Sequence, residues 1–150
     1  METKLPPPLV LLIAGGLAWG IDTLMPDWRL PIGGMQTLAG LLAGGALTLM
    51  LVAAWWVIRR QTTLNPIHPD KARHLVTDGP YQHTRNPIYL ADAVLLAAWL
   101  VWLGNMLSVV TLPLFVIYLT HFQIRPEERA LALKFGEDYR TYCRRVRRWV

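Results

Sequence analysis

The sequence predicts an all-α integral membrane protein, a helical bundle of about four transmembrane helices followed by a C-terminal amphipathic helix at the membrane interface. Of the 150 residues, 53% are hydrophobic, and they occur in long blocks instead of alternating with charged residues. Such blocks are typical of segments that cross a bilayer, whose hydrocarbon core takes about 20 helical residues to span. After Pro126, apolar residues recur at helical spacing among many basic ones, which predicts a helix lying on the membrane surface.

Four apolar blocks are predicted to form the spanning helices, and they cover residues 9–25, 38–58, 88–103 and 107–122. The third and fourth blocks are short, so we expect part of each to continue as helix into the interface. Residues 1–60 are then an N-terminal pair of transmembrane helices, and residues 61–150 form a second unit.

Basic residues are distributed unevenly between the two predicted faces of the membrane. Arg29 is the only basic residue in the far-side loops. The opposite side has the basic C-terminus and the loop residues Arg59, Arg60, Lys71, Arg73 and Arg85. Because cytoplasmic loops are enriched in Lys and Arg, both termini and the 61–87 loop are predicted to be cytoplasmic, at the inner or plasma membrane if the chain is bacterial.

The net charge of +5 fits either nucleic acid or an anionic membrane surface. The basic run 144–148 lies on an amphipathic helix beside the bilayer, and nothing resembles a base-reading module, so we favour membrane lipids and expect no nucleic acid. A signal peptide is disfavoured, although Lys4 precedes the first block, because prolines open that block and no small-residue cleavage site follows. Cys143 is the single cysteine, so no internal disulfide forms. No metal site is predicted.

Two glycine pairs, Gly16 with Gly20 and Gly40 with Gly44, have the GxxxG spacing that lets helices approach closely in lipid. We expect the first helix to pack on the second through them. The alternative is that glycine is simply frequent in membrane helices.

The segment 75–89 reads L-V-T-D-G-P-Y-Q-H-T-R-N-P-I-Y. Gly79 beside an aromatic residue allows a ligand to approach the backbone, and the planar guanidinium of Arg85 suits a carboxylate. Pro87 suits the first turn of the third helix. Taken singly, these residues are better explained by an interfacial loop, but their combination favours a ligand site.

The segment 126–142 reads P-E-E-R-A-L-A-L-K-F-G-E-D-Y-R-T-Y. Glu127 and Glu128 fall in the first turn of a predicted helix, where acidic groups suit the helix dipole. Gly136 interrupts that helix at a cost of about 1 kcal/mol relative to alanine. We therefore expect close contact at Gly136 with another helix or with a ligand.

Together the two segments resemble the membrane-embedded methyltransferases of the isoprenylcysteine carboxyl methyltransferase and phospholipid methyltransferase superfamily. The first family signature, G-x-Y and then R-[HN]-P-x-Y, matches Gly79, Tyr81, Arg85, Asn86, Pro87 and Tyr89. The second, E-E-x-x-L-x-x-x-F-G-x-x-Y-x-x-Y with a basic end, matches Glu127, Glu128, Leu131, Phe135, Gly136, Tyr139, Tyr142, Val146 and Arg148. The chain departs from the pattern at Asn86, where many relatives have histidine, and at Ala91, where glycine is frequent.

The resemblance implies that residues 61–150 are a methyltransferase-like core. It implies S-adenosylmethionine-dependent methyl transfer, at the cytoplasmic membrane face, to a lipophilic or lipid-linked acceptor that is a carboxylate, an amine or a thiol. The cofactor-binding residues it implies are Gly79, Pro80, Tyr81, Arg85, Asn86, Pro87, Tyr89, Glu127 and Glu128.

The candidate catalytic residues are Arg85, Glu128, Asp92 and His121. A protonated amine needs a base, whereas a carboxylate or thiolate does not. Asp92 is a candidate because an ionisable residue inside a membrane helix is usually functional, but it is equally explained by structural pairing with His121 or an arginine. The alternative function is a non-enzymatic scaffold or a small transporter subunit, which has no reason to hold Glu127 and Arg85 close together.

Overall fold

A computed structural model describes residues 5–30, 32–60 and 74–150. The predictions for Lys4, Lys71 and Arg73, and for residues 61–73 of the loop, lie outside the described residues. The division of the chain into 1–60 and 61–150 stays a prediction.

The described residues are helical and contain no β-strand, which confirms the predicted all-α class. The α-helices are α1 (Pro7–Leu24), α2 (Met35–Arg59), α3 (Pro87–Leu103), α4 (Thr111–Leu119) and α5 (Arg125–Arg145). Short 3₁₀ turns lie at Pro26–Trp28, Gly79–Gln82 and Leu107–Val110. The first three helices agree with the predicted apolar blocks to within a few residues.

Helix ends follow the local sequence. Pro7 and Pro87 lie in the first turns of α1 and α3, where a missing N–H costs nothing. Gly104 ends α3 in the left-handed conformation at φ 67°, which glycine adopts without strain.

The fourth block and the surface helix are joined without a break. A π-helical turn, Thr120–Ile124, connects α4 to α5, so the helix predicted to lie at the surface begins at Arg125, and its position at the surface stays a prediction. A proline clashes with the carbonyl four residues earlier in a regular helix. For Pro126 that carbonyl belongs to Phe122, inside the π-turn, where the regular hydrogen-bond ladder is already interrupted.

The chain is an integral membrane protein, as predicted. Three helical segments are long and apolar enough to cross a membrane, namely Pro7–Leu24, Met35–Arg59 and the continuous Leu107–Arg145, and the apolar α3 has 17 residues. Large apolar side chains such as Leu12 and Leu51, each 71% exposed, cover the outside of the bundle. Such exposure suits contact with lipid chains.

Helix α3 is the centre of the bundle, because α2 packs along one side of it and α1 and α4 pack on the other. The prediction that the GxxxG glycines join the first helix to the second is therefore wrong. A Cβ atom added at Gly16, Gly20, Gly40 or Gly44 would meet nothing within 4 Å. The close approach of α1 is instead to α3, where Trp99 Nε1 donates a hydrogen bond to the Gly15 carbonyl at 3.1 Å.

The two ends of the bundle have different polar contacts. At one end, called the site end below, Gln123 Nε2 donates to the Leu5 carbonyl at 2.5 Å, so the start of α1 lies beside the end of α4. At the far end, Asp22 accepts two hydrogen bonds from the Arg29 guanidinium, each at 2.6 Å, and one from Asn105 Nδ2 at 3.3 Å. These contacts fasten the first interhelical turn to the turn between α3 and α4.

Gly136 interrupts α5 with φ 54° and ψ −120°, a conformation open to glycine but strained for other residues. A Cβ atom there would meet nothing within 4 Å, so the expected close contact with another helix is wrong, whereas contact with a ligand stays a prediction. The glycine is needed for the direction of the backbone. Beyond it, the Tyr142 hydroxyl donates to the Tyr81 carbonyl at 2.6 Å.

We predict that Gly136→Ala destabilises the protein by roughly 1–3 kcal/mol, the usual cost of a strained backbone conformation. The measurement is the thermal unfolding midpoint in detergent. Gly40→Ala is the matched control, because Gly40 lies in regular helix and is equally open. Equal midpoints for the two variants would contradict this explanation of Gly136.

Candidate active site

The first motif begins on a turn that α2 holds in place. Gly79 has φ +57°, and a Cβ atom there would overlap the Trp56 indole. One residue earlier, Asp78 forms an ion pair with Arg60 at the end of α2. The close approach to Gly79 that the sequence suggests for a ligand is therefore made, in this structure, by Trp56.

An ion-pair cluster joins the two motifs. Arg85 Nη2 lies 3.0 Å from Glu128 Oε1. Arg148 binds the same carboxylate in a bidentate manner: Nε donates to Oε1 at 3.0 Å and Nη2 donates to Oε2 at 2.7 Å. The Arg85 and Glu128 side chains are 13% and 16% exposed. The hydrogen bond to Glu128 raises the pKa of Arg148, and the cluster places two guanidinium groups on one carboxylate.

Arg85 has one donor left over. Its Nη1 contacts the Cys143 sulfur, while its Nε is buried and has no hydrogen-bond partner among the described residues. Buried polar groups are nearly always hydrogen-bonded, so this donor is open to an acceptor that is not among the described residues.

The C-terminal tail folds back over the first motif. The Arg85 amide donates to the Arg147 carbonyl at 3.0 Å, and Asn86 Nδ2 donates to the Arg148 carbonyl at 2.9 Å. Trp149 Nε1 reaches Thr120 Oγ1 at 3.3 Å. The prediction that the run 144–148 faces an anionic leaflet is thus wrong for Arg148, because the chain leaves the helix at Val146 and brings that side chain inward.

A second group of polar residues is acidic. The Tyr89 hydroxyl donates a hydrogen bond to Glu127. Asp92 lies three residues further along α3, on the same helix face, and is only 5% exposed. Within the described residues, neither Glu127 nor Asp92 forms an ion pair with lysine or arginine.

Tyr81 lies beside this acidic group. Burial and the nearby Glu127 carboxylate raise the pKa of Tyr81, so its hydroxyl stays protonated at neutral pH.

The structure brings together most of the predicted site residues, with His121 as the exception. The residues at the site end are Gly79, Pro80, Tyr81, Arg85, Asn86, Pro87, Tyr89, Glu127 and Glu128, with Asp92 one turn deeper. His121 is exposed, and its Nδ1 lies 3.1 Å from the Ile117 carbonyl of its own helix. The expected structural pairing of Asp92 with His121 or an arginine is absent from the described part of the chain.

Sequence reasoning missed two contributors to the site. Trp56 lies in the last turn of the spanning helix α2, and no local pattern distinguishes it from an interfacial anchor. Arg148 belongs to the second motif, but the basic run around it indicated lipid contact and did not predict its ion pair with Glu128.

Comparison with known proteins places the chain in a family. The family model described as "Phospholipid methyltransferase" matches residues 35–138, more than half of the chain. This chain belongs to that family, and membership indicates methyltransferase activity on lipid-type substrates. The match includes the first motif, from Gly79 to Tyr89, and the second motif from Glu127 to Gly136, but not α1, Tyr139, Tyr142 or Arg148.

An uncharacterized protein of Haemophilus influenzae is 43% identical to this chain over 63 residues, which are 42% of this chain and the whole of that protein. No solved structure matches the chain.

We predict that Arg148→Ala lowers the thermal unfolding midpoint in detergent, whereas Arg147→Ala has little effect. The first variant removes a paired guanidinium, and hydrogen bonds to charged groups contribute about 1.5–3 kcal/mol, less where solvent reaches them. The Arg147 side chain is exposed, and only its backbone carbonyl takes part in the site. A midpoint for Arg148→Ala no lower than that for Arg147→Ala would show that the tail is not held through Glu128.

Proposed function

We propose that this protein transfers a methyl group from S-adenosylmethionine to the amine of a membrane lipid at the cytoplasmic face of the membrane. The supporting observation is the contact between the motifs: Arg85 pairs with Glu128 and keeps one buried donor without a partner, while Glu127 lies nearby with Tyr89. A scaffold or transporter subunit gives no reason for this arrangement.

The residues present fit the cofactor. Arg85, through its orphaned Nε, would hold the carboxylate of S-adenosylmethionine. Glu127, which has no cationic partner among the described residues, would hold a positively charged group. When bound, S-adenosylmethionine supplies a methyl group activated by a positively charged sulfur.

The acidic group favours an amine over the other acceptors. The Asp92 carboxylate is buried and has no cationic partner among the described residues, so it attracts an ammonium group and disfavours a carboxylate or thiolate beside it. The acceptor nitrogen must lose a proton before its lone pair forms the new bond to carbon. We assign that proton to a carboxylate oxygen of Asp92, because Asp92 is buried and accepts no hydrogen bond from a described residue.

The orientation follows from the charge distribution. The tail, the start of α1 and both motifs lie at the site end. The basic tail and Arg59, Arg60 and Arg85 favour the cytoplasm for that end. In a Cys143→Ser background, a membrane-impermeant thiol reagent added outside should label Asp27→Cys and spare Gln82→Cys. The reverse pattern would refute the orientation.

The cofactor proposal is tested by titrating S-adenosylhomocysteine into detergent-purified variants in a calorimeter. Arg85→Ala and Glu128→Ala are each expected to weaken binding about tenfold or more, since each removes a charged partner worth about 1.4 kcal/mol or more.

Arg140→Ala is the matched control, because Arg140 pairs with Glu137 on the exposed face of α5, 3.5 Å apart. Its affinity should equal that of the unaltered protein. Unchanged affinity in both site variants would favour the scaffold alternative.

The acceptor proposal is tested by turnover of Asp92→Asn and His121→Gln with matched lipids that end in an amine, a thiol or a carboxylate. We expect the amine lipid to be methylated best, and Asp92→Asn to lose most of that activity because the substituted amide cannot accept the proton. His121→Gln should keep it, because His121 faces outward. Full activity of Asp92→Asn on the amine would remove Asp92 from the reaction.

A further inference from the structure

An apolar groove runs between α1 and α3 on the outside of the bundle. Its volume is about 460 Å³, within the roughly 300–1,000 Å³ typical of small-ligand sites. The walls are apolar and include Leu11, Gly15 and Gly16 of α1 and Leu95, Leu96 and Trp99 of α3.

The groove is fixed by the contact between its two walls. Trp99 Nε1 donates to the Gly15 carbonyl, so the indole has no unpaired donor to offer a ligand. A side chain added at Gly16 would meet nothing within 4 Å, so this glycine leaves the groove open. A wholly apolar groove at the depth of two spanning helices suits a hydrocarbon chain.

The groove continues the active site along one face of α3. Leu95, Leu96 and Trp99 follow Asp92 by three, four and seven residues, a spacing that places all four on the same side of a helix. Asp92 is the member nearest the site end. The buried Asp92 carboxylate therefore lies one helical turn from the groove-lining residues Leu95 and Leu96, on the site-end side of them.

We propose that this groove holds one acyl chain of an amine-bearing lipid and that the Asp92 carboxylate binds the ammonium group of the same lipid. The proposal rests on the function proposed above and adds the place where its acceptor docks. An amine-bearing lipid suits the groove better than α1 of a second copy does. The lipid brings an ammonium group to Asp92, whereas residues 7–21 of α1 contain no basic side chain. The α1 wall lies outside the region matched by the family model, so the groove is not a feature transferred from that match.

The test is photo-crosslinking in lipid nanodiscs. Phosphatidylethanolamine with a diazirine halfway along one acyl chain is compared with phosphatidylglycerol bearing the same chains, and labelled peptides are mapped by mass spectrometry. We expect the amine lipid to label residues 9–24 and 93–103 several-fold more than phosphatidylglycerol does. Asp92→Asn should abolish that preference.

Gly16→Leu fills the groove and should reduce labelling by the amine lipid several-fold. Gly40→Leu, an equally open glycine on α2, should not. S-adenosylhomocysteine binding by Gly16→Leu checks that the variant is folded, because Gly16 lies in the middle of α1 and takes no part in the ion-pair cluster. If that variant does not fold, the comparison of the two lipids with and without Asp92→Asn decides the question.

Equal labelling by both lipids, unaffected by Asp92→Asn, would overturn the proposal in favour of ordinary boundary lipid. Absent labelling, together with a dimer that Gly16→Leu dissociates, would overturn it in favour of a second copy. Selective labelling without cofactor binding or turnover would refute the proposed function and leave the lipid site standing. Cofactor binding and amine methylation without selective labelling would refute the groove alone.

Discussion

The site depends on the Glu128 carboxylate and the two arginines that share it. The ion pairs connect three stretches far apart in the sequence: Arg85 just before α3, Glu128 in the first turn of α5, and Arg148 beyond the end of α5. A largely buried charge is costly unless it is paired; removing one partner of a fully buried pair costs about 3–5 kcal/mol, which is an upper limit for these partly exposed groups. Pairing Glu128 therefore fixes the ends of two helices and the tail relative to one another.

The lipid environment explains why the polar groups collect at the two ends of the bundle. Backbone that is not helical has no water partners at membrane depth, so it is confined to the ends or to places covered by protein. The far end satisfies its turns through Asp22, Arg29 and Asn105. The site end uses the tail, whose carbonyls accept from Arg85 and Asn86. Tyr89 and Asp92 extend the polar site into the spanning helix α3.

Within the site, positive and negative groups are separated. The Arg85, Glu128 and Arg148 cluster keeps one cation in excess, whereas Glu127 and Asp92 have no cationic partner among the described residues. This separation suits a reaction between a zwitterionic cofactor and a cationic acceptor, since each charge has a complementary place. Helix α3 connects the two functions, because Tyr89 and Asp92 lie at its site end and the apolar groove continues beyond them.

The sequence alone determined the spanning helices to within a few residues, the place of Pro87 in the first turn of the third, the family, and the association of the two motif segments. These features depend on hydrophobic blocks, proline and glycine chemistry and residue spacing, all of which are local. Spacing on α3 also placed Asp92 near the site, but could not say whether it has a partner.

Only the tertiary structure decided that α3 lies between α1 and α2, that Trp56 covers Gly79, and that Arg148 turns inward to Glu128. Each of these is a contact between residues at least 20 positions apart. In lipid, an apolar helix face fits a neighbouring helix and the lipid chains almost equally well, so the pattern of one helix does not name its partner. The partners are set by shape and by the few polar groups that must be paired.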